Sequence, residues 1–286
     1  MPVQPVVLDL DGSVQLDGAE VLDRRDWQET LRFACARRAL DRFDTTLPAE
    51  LGRHFAPVFF GSGDFHHLSL PLIRRVAGVQ PCRVVVFDNH PDNMRFLAGI
   101  HCGSWVSHAA ALPGVLGIDV VGITSKDVDA AHLWENRWSP LRRGRVRYWC
   151  IGAANRWAAR LGLGHAFRAF PDAPALMTAL QAQWQSDTVP VYLSIDKDVL
   201  HPDDAHTNWD QGVLRAGQLC AAIRMLAPRL VGMDVNGEVS SYVYRSRWKR
   251  WLSAVDEQPA IPAEQVQRWQ AEQAALNRRL LAALSG

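Results

Sequence analysis

The chain has 286 residues, 48% hydrophobic and 21% charged, with 31 basic against 30 acidic side chains and a formal charge of +1. This excludes wholesale disorder, and so small a net charge gives no electrostatic pull toward nucleic acid or a membrane surface. No apolar run reaches the ~18 residues of a membrane-spanning helix; Met1-Pro2-Val3-Gln4 lacks the basic start of a signal peptide; and Cys35, Cys82, Cys102, Cys150 and Cys220, with no Cys-x-x-Cys pair, read as reduced thiols of a cytoplasmic protein.

Short apolar runs alternate with helical patterns along the chain. Strands are predicted at Val6–Leu10, Pro57–Phe60, Arg83–Phe87, Asp119–Ile123, Arg147–Ile151, Val189–Ile195 and Leu230–Val235, all rich in Val, Ile or aromatic residues. Helices are predicted near 29–43, 68–77, 103–112, 173–184, 214–227 and 263–284. Pro71 suits a first helical turn, and Pro228 suits the residues just past a helix end. The alternation predicts one α/β domain over 1–286, its parallel sheet covered on both faces, with chemistry at the carboxyl ends of the strands. Tyr242–Trp251, carrying Arg245, Arg247, Lys249 and Arg250, reads as a solvated helix face with Trp248 and Trp251 turned inward.

Four strands run directly into Asp, His or Glu: Phe60-Gly61-Ser62-Gly63-Asp64-Phe65-His66-His67, Phe87-Asp88-Asn89-His90-Pro91-Asp92, Ser194-Ile195-Asp196-Lys197-Asp198, and Asp234-Val235-Asn236-Gly237-Glu238. In extended chain alternate side chains share a side, so Asp88, His90 and Asp92 can converge, as can Asp196 and Asp198. Four carboxylates at close range repel until some take up protons. Two divalent cations would balance them, and a carboxylate–imidazole set suits Mn²⁺ and related first-row ions. Such a pair of ions acidifies water, so the chemistry implied is metal-assisted hydrolysis. The plainer reading of one Asp-x-His is a turn or cap; it accounts less well for several such motifs together.

These motifs resemble those of the arginase/agmatinase ureohydrolase family. Asp88-x-His90-x-Asp92 is similar to its Asp-Ala-His-x-Asp, Ser194-x-Asp196-x-Asp198 to its Ser-x-Asp-x-Asp, and Gly63-Asp64-Phe65-His66 to its Gly-Gly-Asp-His with one residue inserted. The run after it resembles Ser-Val-Thr-Leu-Pro, which favours His66 over His67 as a ligand. The resemblance implies a three-layer α/β/α fold with a mainly parallel sheet, frequent homo-oligomers and a two-Mn²⁺ site. One ion would be held by His66, Asp88, Asp92 and Asp196, the other by His90, Asp88, Asp196 and Asp198. It further implies a bridging hydroxide that attacks a cationic guanidino substrate, cleaves a C–N bond and releases urea or a substituted urea.

By the same resemblance His101 would carry a proton to the leaving amine, and Glu238 would anchor the substrate guanidinium. Trp209 and Asp210 would meet the cation by ring face and charge. Each has a plainer alternative, in a helix start, a turn or a loop. Departures from the family pattern are His201 where an Asp is usual, Ala153-Ala154 where an Arg is common, Lys197 between two ligands, and one extra residue between Asp234 and Glu238. By alternation Lys197 points away from the ligands, and Asp234 braces its strand end. A metal-dependent amide hydrolase or deacetylase of the same fold is the alternative enzyme; a non-catalytic metal-binding member is the alternative outside catalysis. Asp9-Leu10-Asp11-Gly12 resembles a haloacid-dehalogenase-like nucleophile motif but reads better as a strand followed by an Asp-Gly turn.

Overall fold

The structure, a computed structural model, describes residues 4–132, 134–152, 156–250 and 261–285. Nine strands form one sheet: β1 (Val6–Asp9), β2 (Glu20–Asp23), β3 (Pro57–Phe59), β4 (Cys82–Phe87), β5 (Val115–Ile123), β6 (Val146–Ile151), β7 (Phe167–Phe170), β8 (Val191–Asp196) and β9 (Leu230–Asn236). Their order is β2-β1-β3-β9-β8-β4-β5-β6-β7, with every pairing parallel. The last two strands in the sequence therefore slot between β3 and β4.

Parallel strands need crossovers, and the longer ones carry helices α1 (Arg37–Thr46), α2 (Ser69–Val79), α3 (Ala173–Trp184) and α4 (Ala216–Leu226), followed by the terminal α5 (Ala263–Ala282). Alternation along β4 decides the layers. Val84 and Val86 enter one core with Phe43 of α1 and Ile73 of α2, while Val85 and Phe87 enter the other with Leu180 of α3, Ile223 of α4 and Leu280 of α5. A helix layer thus covers each face, as expected of a three-layer α/β architecture. Among the described residues no helix is long and apolar enough to cross a membrane. The five cysteines are buried and free of disulfides.

Two predicted helices are broken. The stretch predicted as 29–43 forms a single turn at Gln28–Leu31, a short strand at Ala34–Cys35 and then α1. Between them Phe33 takes a positive φ of 68°, a conformation that ends a right-handed helix. The stretch 103–112 shortens to a helical turn at Val106–Ala109 behind Ile100–His101, which pairs antiparallel with Ala34–Cys35.

The basic segment near 245 also differs from its prediction. Trp248 is half exposed and Lys249 is buried, its Nζ donating to the carbonyls of Glu29, Thr30 and Arg32. Those carbonyls lie where the broken helix stops and lack helical partners, so a cation there satisfies them. Trp251 and Ala153-Ala154 lie outside the described residues.

Candidate metal centre

The carboxyl ends of β3, β9, β8 and β4 are consecutive in the sheet. After β3 the chain turns through a tight helical segment at Gly63–Leu68, capped by Ser62 Oγ accepting from the Asp64 N–H. Gly63 is required by crowding. A Cβ there would stand 2.9 Å from Asp196 Oδ2 and 3.2 Å from Trp209 Cδ1.

His66 and the aspartates converge. His66 Nδ1 lies 3.1 Å from Asp88 Oδ2, 2.9 Å from Asp92 Oδ2 and 3.6 Å from Asp196 Oδ2. His90 Nδ1 lies 3.6 Å from Asp88 Oδ1 and 2.9 Å from Asp198 Oδ2. Potential ligand atoms of His66, Asp88 and Asp196 fall within 4.8 Å of one another, and so do those of Asp88, His90 and Asp198. Asp88 belongs to both triads. Asp92 closes the first, its Oδ2 also accepting the Trp105 indole N–H at 2.6 Å. Its backbone is left-handed (φ 46°), which Asp tolerates better than most residues.

The electrostatics of this nest are unbalanced. Burial pushes Asp92 and Asp198 up to about 7, reinforced by the charge of Asp88, and raises Asp196 well above the usual carboxylate range with help from Asp198. Burial opposes protonation of His66 and His90, yet the facing carboxylates outweigh it and raise both rings well above an ordinary histidine. Burial also pulls Asp88 upward, but the two imidazoles beside it hold it low. Left to itself, the nest retains protons for want of cations.

The outer ring nitrogens show how metal ions would fit. Ser194 Oγ donates to Asp234 Oδ1 at 2.7 Å, so its lone pair accepts from His66 Nε2–H at 3.0 Å. That assignment follows from the partners, and in a neutral ring it leaves Nδ1 bare toward the aspartates. Asp88 Oδ2 is buried with no hydrogen-bond donor, though His66 Nδ1 is only 3.1 Å away. In a neutral ring that bare nitrogen would face a carboxylate oxygen, and the repulsion is relieved by a cation between them, a proton in the metal-free nest or a divalent ion. The donor set, carboxylate oxygens and imidazole nitrogens, suits a divalent first-row ion. The residues present fit the implied ions.

The other expected site residues fall in different places. His67 is fully buried, and neither of its ring nitrogens has a hydrogen-bond partner, so the imidazole that meets the aspartates is His66. Lys197 does point away from its flanking aspartates, and its Nζ donates to Glu238 Oε1 at 2.5 Å. Glu238, expected to face a guanidinium, is 2% exposed and also accepts from Asn277 Nδ2 of α5 at 2.8 Å. Asp234 braces its strand, accepting the hydroxyls of Ser69, Ser194 and Tyr192.

His101 stacks on Phe33 with centroids 6.0 Å apart, and Phe96 meets it edge-on at 4.6 Å. Its Nδ1 accepts the Gly103 N–H, and burial pushes its pKa down to about 4, so the ring is neutral at pH 7. Trp209 stacks on the other side of this row, 6.2 Å from Phe33 and 6.1 Å from His90. Asp210, expected among the substrate contacts, instead engages His90 Nε2 at 2.7 Å and Asn89 Nδ2 at 3.1 Å. His201 accepts the Asp203 N–H at the surface. Asp9 pairs with Arg25, and Asp11 accepts from Ser13, Ser62 and Ser240, as a turn-and-brace reading of that motif requires.

Sequence reasoning missed Ser194 and Trp105 as supports of the centre. Ser194 carried a signal, because it lies two residues before Asp196 on the same side of an extended run. Trp105 sat inside a predicted helix and carried none.

A sequence profile described as the arginase family matches residues 6–243. The chain belongs to the arginase family. Among curated proteins, an uncharacterised protein of Thermotoga maritima is 28% identical over 211 residues, which are 73% of this chain and 68% of that one. Among solved structures, the agmatine ureohydrolase of Thermoplasma volcanium matches 99% of this chain and 90% of its own, with TM-score 0.57 and 13% identity. Trypanosoma cruzi formiminoglutamase with Mn²⁺ matches 89% of this chain and 74% of its own, with TM-score 0.55 and 13% identity. At these identities the structural likeness speaks for the shared arginase-like fold alone.

Proposed function

We propose that this arginase-family chain is a binuclear-metal hydrolase that cleaves a C–N bond of a guanidino compound, releasing urea or a substituted urea. The observation that carries the reading is the pair of His/Asp triads sharing buried Asp88. His66, Asp88, Asp92 and Asp196 would hold one ion, and His90, Asp88, Asp196 and Asp198 the other, with Mn²⁺ the expected metal. When bound, the ions would supply Lewis acidity and lower the pKa of water enough for hydrolysis near neutral pH.

The chain's own residues do the rest. Ser194 and Asp234 keep His66 in one tautomer. The rings of Trp209, Phe33 and His101 form an aromatic row beside His90, a surface against which a flat, delocalised cation can lie. His101, neutral with its Nδ1 accepting the Gly103 N–H, keeps an Nε2–H that can orient a leaving nitrogen by hydrogen bonding; it would deliver a proton only after taking one up as imidazolium.

One observation favours a second reading. The Glu238 carboxylate is already neutralised by Lys197, which weakens it as an anchor for a cation and admits a neutral amide substrate. A panel of guanidino compounds and simple amides, assayed for urea and for released amine with Mn²⁺ supplied, separates the two. Urea release, abolished in Asp196→Ala, is the expected result. Amine release from amides without urea would establish the second reading, and silence from both classes in a metal-loaded protein would refute hydrolysis.

A further inference from the structure

The ring of His90 stands between two carboxylates. Asp198 Oδ2 lies 2.9 Å from Nδ1, and Asp210 Oδ1 lies 2.7 Å from Nε2. A neutral imidazole has one N–H to give, so the two acceptors compete for it. If the proton sits on Nδ1, the ring binds Asp198 directly and no lone pair faces the triad. If it sits on Nε2, Nδ1 is bare toward Asp88 and Asp198. His66 faces the same choice, and its Nε2 proton is drawn outward by Ser194.

We propose that Asp210 is a positioning residue for the metal centre: its carboxylate draws the His90 proton to Nε2 and so presents Nδ1 to an ion shared with Asp88 and Asp198. This rests on the metal reading above and goes beyond it. It gives Asp210 a role toward the ion where a substrate contact was expected.

The carboxylate is held for that task. Asn89, the residue between Asp88 and His90, donates Nδ2 to both Asp210 Oδ2 at 3.1 Å and the Asp210 carbonyl at 3.0 Å. Asn89 is itself fixed: its Oδ1 accepts from Thr124 N and Oγ1, and its N–H donates to Asp198 Oδ1 at 3.0 Å. Two residues beyond Asp210, the Gly212 N–H binds the Asp198 carbonyl at 2.7 Å. One frame therefore links Asp198, His90 and the carboxylate behind His90. The Asp210 side chain is itself 67% exposed, so no core packing depends on it.

The test is Mn²⁺ titration of the whole chain, with free ion followed by electron paramagnetic resonance, on wild type, Asp210→Ala and Asp210→Asn. Removing an outer partner of a metal-binding histidine typically weakens binding ~10–100-fold. The expected result is a loss of that size for one of two ions in Asp210→Ala, with the other unchanged. Asp210→Asn, which keeps an acceptor oxygen, should lose clearly less than Asp210→Ala. Asp210→Ala titrating like wild type, Asp210→Asn as weak as Asp210→Ala, or equal weakening of both ions would each overturn the assignment. A wild-type chain that binds no Mn²⁺ would instead fail the metal reading itself, so the two failures are distinguishable.

Discussion

The buried pair Lys197–Glu238 provides a quantitative test of how the strand tips are held. Both side chains are essentially inaccessible, at 0% and 2% exposure, so bulk water screens the pair little. With charge centres about 3 Å apart and an effective dielectric near 20, their attraction is about 5 kcal/mol before desolvation is charged against it. Replacing Lys197 by Met leaves the Glu238 carboxylate with only the Asn277 amide, its Oε2 already lacking a donor. Breaking a buried pair from one side typically costs about 3–5 kcal/mol, and we expect a loss in that range. The double variant Lys197→Met/Glu238→Gln removes both charges and lets a neutral amide meet Asn277. It should recover at least about 2 kcal/mol relative to the sum of the single changes. Urea denaturation of the three variants and wild type, with metal removed and at one pH, measures this. Strictly additive losses, or a Lys197→Met penalty under about 1 kcal/mol, would refute the claim that this pair is desolvated and coupled.

Two further outcomes follow from the geometry. Gly237 has a φ of 88°, and a Cβ there would approach Asp196 Oδ1 to 2.5 Å and the Lys197 nitrogen to 2.6 Å; Gly237→Ala should therefore cost about 2 kcal/mol or more in denaturant unfolding and weaken Mn²⁺ binding through Asp196, whereas wild-type values for both would show that the strand tips can separate freely. His101 titrates near 4 in the fold against about 6.5 in an unfolded chain. Above pH 6.5 both states are neutral and nothing is lost; between 6.5 and 4 only the unfolded chain takes the proton, so stability falls as pH falls. Because the ring is partly exposed, the loss should be about 1–2 kcal/mol across that window, and His101→Gln should lack that share of the slope in pH-dependent melting.

The layers of the fold were legible because a parallel strand buried on both faces must be apolar along its length. Val84-Val85-Val86-Phe87 supplies both cores from one run, and no helix pattern competes with it. The edge strands were not legible. Glu20–Asp23 is largely exposed and polar at both ends, so neither apolar continuity nor clean alternation marks it. The helix predicted over 29–43 failed for a tertiary reason. Arg32 is drawn inward by Asp64, Ser62 and Ser240, residues about 30 and 208 positions away, and local propensity at Phe33 cannot overrule that. Within the candidate site, the converging residues could be read because each group lies within a few positions of a strand's carboxyl end, although His66 and Asp198 sit in helical turns and Asp92 is left-handed, so strict alternation does not set their convergence. The partner that fixes the His90 ring lies 120 residues further on, beyond the reach of any local pattern.

The same bookkeeping of buried charge explains why the aspartate nest asks for something from outside the chain. Among the described residues the buried Lys and Arg side chains are Arg32, Lys197 and Lys249. Arg32 pairs with Asp64 and lies 3.6 Å from Asp11, Lys197 pairs with Glu238, and Lys249 caps three carbonyls. None of these interactions neutralises Asp88, Asp92, Asp196 or Asp198. A net charge of +1 over the whole molecule says nothing about this local deficit, because screening and distance confine each surface charge to its own neighbourhood. Among the described residues, His66 and His90 are the groups left beside the four buried carboxylates, and they offset them as imidazolium ions. Divalent cations would release those protons and leave the rings neutral, so metal loading should strengthen as pH rises. Ion binding independent of pH between 6 and 8 would show that the nest is balanced by some other means.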